Sequence, residues 1–189
     1  MKKIILITGG ERSGKSTYAE QTALKLSDHP VYVATARIWD EEFRQRVNIH
    51  KARRGPQWTN IEEEKHLSRH DMTGRTVLID CITLWATNFF FDCQPATESH
   101  PGETIETRQA QAGIRQVEHT LQAIKEEFVR FTAQDATFIF VTNEIGMGGV
   151  SANDVQRRFT DVLGWTNQFV AAQADEVYMM LSGIPVKIK

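Results

Sequence analysis

The chain has 189 residues, 41% of them hydrophobic, with 22 Lys and Arg against 24 Asp and Glu for a formal charge of −2. That length suits one domain with a sizeable core, so residues 1–189 are expected to form a single unit. The near balance of charge argues against general binding to nucleic acid or to a membrane surface.

No apolar run approaches the ~18 residues of a membrane span. The apolar stretch after Lys2-Lys3 is too short for a signal peptide, so the chain is expected in the cytoplasm. Cys81 and Cys93 show no CxxC or zinc spacing, and Cys81, in an apolar context, reads as a packed thiol.

The first strand candidate, residues 3–8, runs directly into Gly9-Gly10-Glu11-Arg12-Ser13-Gly14-Lys15-Ser16. This is the spacing G-x-x-x-x-G-K-S of a phosphate-binding loop, set between a strand and a helix over residues 15–26. The glycines let consecutive N–H groups converge on an anion. Lys15 can reach the terminal phosphates, the Ser16 hydroxyl can ligate Mg²⁺, and the helix presents its positive end. Nucleoside triphosphate binding is therefore expected.

A second strand is expected at 31–35 and a helix at 40–53, which opens with acids and stops before Gly55-Pro56. Along that helix Arg46, His50, Arg53 and Arg54 share a face. Nearby cations hold an imidazole neutral and nucleophilic, and the same arginines suit a triphosphate and a departing pyrophosphate. The residues alone leave two readings open: a histidine nucleophile for nucleotidyl transfer, or a solvated basic face with an incidental histidine.

The run at 76–80 ends in Asp80, either the acid that holds Mg²⁺ opposite a phosphate loop or a strand-end turn cap. Residues 92–102, with Pro95, Pro101 and Gly102, read as a loop. A long helix over 103–132 carries Ile114, Val117, Leu121, Ile124, Phe128 and Phe131 at three- and four-residue steps, a stripe for core packing or a subunit contact.

A strand at 137–142 leads into Asn143-Glu144 and a glycine-rich loop, where Glu144 contacts substrate or metal or caps the loop. A helix at 154–174 and strands at 176–181 and 185–189 follow, the last two joined around Gly183 as a hairpin. This alternation predicts a doubly wound α/β fold with a mostly parallel sheet and a C-terminal hairpin.

The ordered set of motifs resembles one family, the bifunctional adenosylcobinamide kinase / adenosylcobinamide-phosphate guanylyltransferases of cobalamin biosynthesis. The pieces are the phosphate loop, Tyr32-Val33-Ala34-Thr35-Ala36, His50-Lys51-Ala52-Arg53-Arg54 with Trp58 and Glu62, and Leu78 to Trp85 with Asn88. Val141 to Gly148, Asn167-Gln168 and Ser182 to Lys187 complete the match. Where the family continues with an apolar residue and Val-Pro, this chain reads Gly149-Val150-Ser151.

The resemblance implies a RecA-like P-loop NTPase fold and two activities. One phosphorylates adenosylcobinamide with ATP or GTP. The other moves GMP from GTP to the resulting phosphate through a histidine, at the position of His50. It implies nucleotide contacts at Gly9, Gly10, Glu11, Arg12, Ser13, Gly14, Lys15 and Ser16, at Ala34, Thr35 and Ala36, at Lys51, Ala52, Arg53 and Arg54, and at Glu62 and Asp80. It also implies a homotrimer acting on a corrinoid. Retention of only one activity, a small-molecule kinase and an NTP-dependent switch are the alternatives to be separated from it.

Overall fold

The computed structural model describes residues 1–38, 41, 44–45, 54–93 and 104–189. Most of the helix expected at 40–53, with Arg46, His50, Lys51, Ala52 and Arg53, lies outside the described residues, as does most of the loop expected at 92–102.

The described chain runs β1 (Lys3–Gly9), α1 (Lys15–Leu26), β2 (Val31–Ala34), β3 (Thr59–Glu62), β4 (Thr76–Asp80) and α2 (Ile82–Asp92). It continues through α3 (Ile105–Phe131), β5 (Thr137–Val141), α4 (Asp154–Gln173), β6 (Glu176–Leu181) and β7 (Ile184–Lys187). These strands form one sheet in the order β3-β2-β4-β5-β1-β6-β7. The first six are parallel, and β7 returns antiparallel to β6. β5 thus stands between the strand that opens the phosphate loop and the strand that ends in Asp80.

Both faces of the sheet are covered, which is why its strands read as continuous apolar runs. Ile4 and Leu6 of β1 face a core shared with Trp85, Phe90, Phe128, Phe131 and Val170 of α2, α3 and α4. Ile5 and Ile7 face the other side, with Ala19 and Ala23 of α1, Tyr32, Trp58 and Cys81. Cys81 is a buried free thiol, as its apolar context implies.

Capping agrees with the sequence to within a residue or two. The Thr104 hydroxyl accepts from the Thr107 N–H at the start of α3, and Asn153 Oδ1 accepts from the Gln156 N–H at the start of α4. Along α3 Val117, Ile124, Phe128 and Phe131 are buried, whereas Ile114 is 60% exposed. The final hairpin turns at Ser182 and Gly183, both left-handed with φ of 50° and 85°, the backbone of a two-residue turn that matches strand twist.

Two elements carried no clear signal. β3 has one apolar residue, Ile61, because it is an edge strand with little to bury. α2 is apolar on most sides, with Trp85, Phe89 and Phe90 buried and Phe91 half exposed, so its period is masked.

Candidate nucleotide site

Parallel register gathers the functional residues at one edge. Ile7 aligns with Val141, Val141 with Asp80, Asp80 with Ala34, and Ala34 with Glu62. The phosphate loop, Cys81, Thr35, Thr142 and Asn143 therefore all leave the sheet at its carboxyl edge, where open α/β sheets bind ligands.

The loop needs its glycines for different reasons. Gly9 has φ of 148°, and a Cβ there would stand 2.6 Å from the Met180 carbonyl oxygen and 2.9 Å from Ser13 Oγ. Gly14 caps α1 in the left-handed region at φ 93°, so the helix starts at Lys15. Arg12 is also left-handed at φ 55°.

Lys15 is 7% exposed, and its ammonium donates to the Gly10 carbonyl and, at 3.4 Å, to Ser13 Oγ. Burial lowers its pKa from the ordinary lysine value, and the nearby Asp80 and Glu11 carboxylates oppose that.

A cleft of about 600 Å³ opens over the loop. Of the sequence-predicted residues it brings together Glu11, Arg12, Ser13, Gly14, Lys15, Ser16, Ala34, Ala36, Arg54 and Asp80. Thr35 is not on its wall. Fully buried, its hydroxyl accepts from the Cys81 N–H (2.9 Å) and donates to the Cys81 carbonyl (2.8 Å), tying β2 to the end of β4. Asn88 closes the same knot, its amide donating to the Thr35 and Glu64 carbonyls. Glu62 is exposed at the end of β3 and lies outside the cleft wall, two strands beyond Asp80.

Asp80 Oδ2 accepts a hydrogen bond from the Tyr32 hydroxyl at 3.0 Å. Arg54, with its side chain 4% exposed, lies 3.5 Å from the centroid of the Tyr32 ring. Its Nε donates to Asn60 Oδ1 at 2.8 Å, and its Nη1 is 3.9 Å from Glu20. Of the two readings of Glu144, the geometry favours the loop cap, since its carboxylate accepts from the Gly146 N–H. Its own N–H donates to the Gly9 carbonyl, joining that segment to the phosphate loop.

Sequence reasoning missed two contributors. Tyr32 lines the cleft, a placement implied by its being two residues before Ala34 on the same strand face. The C-terminal hairpin buttresses the loop, with the Gly183 N–H donating to the Ser13 carbonyl at 3.0 Å. No local signal links residues that far apart in the chain. Among the described residues, no helix is long and apolar enough to cross a membrane.

Comparisons with known proteins identify the family. The cobinamide kinase / cobinamide phosphate guanyltransferase family pattern matches residues 5–188. The bifunctional adenosylcobalamin biosynthesis protein CobU of Salmonella typhimurium is 38% identical over 192 residues, covering 98% of this chain and 99% of that protein. CobU of Escherichia coli is 35% identical over 98% of this chain and 99% of its own, and CobP of Pseudomonas aeruginosa 33% identical over 97% and 96%. Among solved structures, the flagellar accessory protein FlaH of Methanocaldococcus jannaschii is similar at a TM-score of 0.45 and 15% identity, over 99% of this chain and 78% of its own. That likeness is too distant to add to the strand order. With residues 5–188 matched and its phosphate loop, Lys15 and Asp80 on one cleft, the chain belongs to the cobinamide kinase / cobinamide phosphate guanyltransferase family.

Proposed function

We propose that the chain, a single domain over 1–189, phosphorylates adenosylcobinamide with ATP or GTP. It then transfers GMP from GTP to adenosylcobinamide phosphate through a guanylyl-histidine on His50, giving adenosylcobinamide-GDP and pyrophosphate. The observation that carries this is the meeting of Lys15, Ser16 and Asp80 on the cleft of a chain that belongs to this family.

The N–H groups of the loop and Lys15 hold the phosphates and meet the charge that develops as a phosphoryl group departs. A hydroxyl and a carboxylate on one wall are hard oxygen donors, the set Mg²⁺ takes beside phosphates, so Ser16 and Asp80 would hold it. When bound, Mg²⁺ supplies neutralisation of the phosphate oxygens. For the transfer step, the neutral His50 imidazole bonds to the α-phosphorus as the bond to the pyrophosphate oxygen breaks. The acceptor phosphate oxygen then takes the phosphorus and the P–N bond breaks, returning His50.

Lys51, Ala52, Arg53 and Arg54 accompany His50 around the nucleotide. Four strand spacings of about 4.8 Å place Glu62 roughly 19 Å from the β1 end along the sheet edge. That separation suits a contact to the base, with Gly9, Gly10 and the rest of the loop at the phosphates, Ala34 and Ala36 on the cleft wall between, and Thr35 behind them holding β2 to β4. The protein acts as a cytoplasmic homotrimer on a small corrinoid. Ile114 and Trp165, 60% and 46% exposed on α3 and α4, leave apolar surface for a subunit contact.

Incubation with Mg²⁺ and GTP labelled at the α-phosphate tests the central step. Wild-type protein is expected to carry an acid-labile label through a denaturing gel, and His50→Ala to carry none. An unlabelled, folded and GTP-binding wild type would overturn the covalent route and leave a kinase or a switch.

A further inference from the structure

Tyr32 does more than fill the core. It is 5% exposed, and two separate stretches of chain, residues 54–58 and Asp80, meet its side chain. The Arg54 guanidinium lies over one face at 3.5 Å, and Trp58 meets the ring at 80° with centroids 6.1 Å apart. The hydroxyl reaches Asp80 Oδ2. A tyrosine so packed has no rotameric freedom left, so its hydroxyl is a fixed donor at the end of β4.

We infer that Tyr32 is a positioning residue for the nucleotide-bound divalent cation. It engages Oδ2 of Asp80, selects one orientation of that carboxylate, and leaves the other oxygen to the metal. This inference rests on the reading of Asp80 as the metal-binding acid. A carboxylate whose second oxygen is held by a neutral donor meets a cation with its orientation already chosen, the usual task of partners behind metal ligands.

The same ring also carries Arg54, four residues after His50 in the sequence. Its guanidinium donates to Asn60 and lies 3.9 Å from Glu20. One side chain therefore touches both Asp80 and Arg54. Its two contacts use different atoms, the hydroxyl for Asp80 and the ring face for Arg54. Tyr32→Phe removes the first and keeps the second.

The test is Mn²⁺ titration by electron paramagnetic resonance with a non-hydrolysable GTP analogue. It compares the full chain, Tyr32→Phe, Asp80→Asn and the double variant, with metal-free analogue affinity and thermal melting measured alongside. Tyr32→Phe is expected to weaken Mn²⁺ about tenfold, at the lower end of what loss of such a partner costs. Mn²⁺ affinity should fall by more than metal-free analogue affinity does, a split that a merely structural role, lowering melting and both affinities together, would not produce. In the Asp80→Asn background the same substitution should have no further effect, since the tyrosine acts through that carboxylate.

Wild-type Mn²⁺ affinity in Tyr32→Phe, with Asp80→Asn weakened, overturns the positioning role and leaves the metal role standing. Equal losses from Tyr32→Phe in both backgrounds overturn it as well. Undiminished Mn²⁺ affinity in Asp80→Asn removes the metal role of Asp80, and the inference falls with it.

Discussion

The phosphate loop and the Asp80 corner lie two strands apart on the same edge of the sheet, yet they are built in opposite ways. The loop is eight consecutive residues, Gly9 to Ser16, whose spacing alone prescribes its backbone. The corner is assembled from Tyr32 on β2, Arg54 before β3, Asp80 on β4 and Asn88 on α2, joined by hydrogen bonds and one stacked ring. A contiguous motif is legible because its constraints act on neighbouring backbone dihedrals. A corner exists only after strand register has brought distant side chains together.

The contrast predicts different kinds of damage. Lys15→Met strikes the loop and is expected to lower turnover about 10²–10³-fold, the usual cost of losing a charge-stabilising donor. The same variant should melt higher at neutral pH, by about 2–4 °C for each kcal/mol recovered, because a desolvated ammonium is removed. The sign follows from linkage. With its folded pKa below the unfolded 10.5, Lys15 costs stability at low pH, and that cost disappears as pH climbs through the folded value toward 10.5. Melting curves without nucleotide at pH 7 and pH 10 should show the advantage of Lys15→Met shrinking.

Asn88→Ala strikes the corner instead. Asn88 is 1% exposed, and its loss leaves the Thr35 and Glu64 carbonyls without their amide partner, at about 1–3 kcal/mol each. Denaturant titration is expected to show that fall in stability. If Asn88→Ala left stability unchanged, the corner would not depend on this knot.

The smallest effect belongs to the opposite edge of the sheet, where β6 begins. Glu176, hydrogen-bonded first by Lys3 and then by Tyr178 and Lys187, has its pKa lowered to about 2. Its stabilisation is complete above the ordinary carboxyl value of 4.5 and is lost as pH falls toward 2. These groups are solvent-screened, so Glu176→Gln is expected to cost less than about 1 kcal/mol at pH 7. The gap between the urea midpoints of the two proteins should narrow below pH 4.5.

Much of the fold is legible in the sequence. The strands at 76–80 and 176–181 have the expected bounds, and β1, β2 and β5 differ from expectation by one residue at an end. Runs such as Phe138-Ile139-Phe140-Val141 announce burial on both faces. The hairpin at Gly183 was legible from its turn residue. β3 escaped because an edge strand needs few apolar residues, and α2 because a helix apolar on most sides shows no stripe. In the sequence Arg54 belongs to a basic face with Arg46, His50 and Arg53, which lie outside the described residues. The described Arg54 side chain lies over Tyr32.

The sequence by itself determined the phosphate loop, the alternation of strands and helices, the acid at the end of β4 and the family, because each depends on order and spacing along the chain. Only the tertiary structure decided that Thr35 and Asn88 are knots within the fold, that the Glu144 N–H joins the Gly9 carbonyl, that Gly183 braces Ser13, and that Tyr32 holds Asp80. Those contacts join residues brought together by the parallel register and by the crossovers that leave β5 between β1 and β4. Hydrogen-bond geometry is satisfied in space, and spacing along a chain does not encode it.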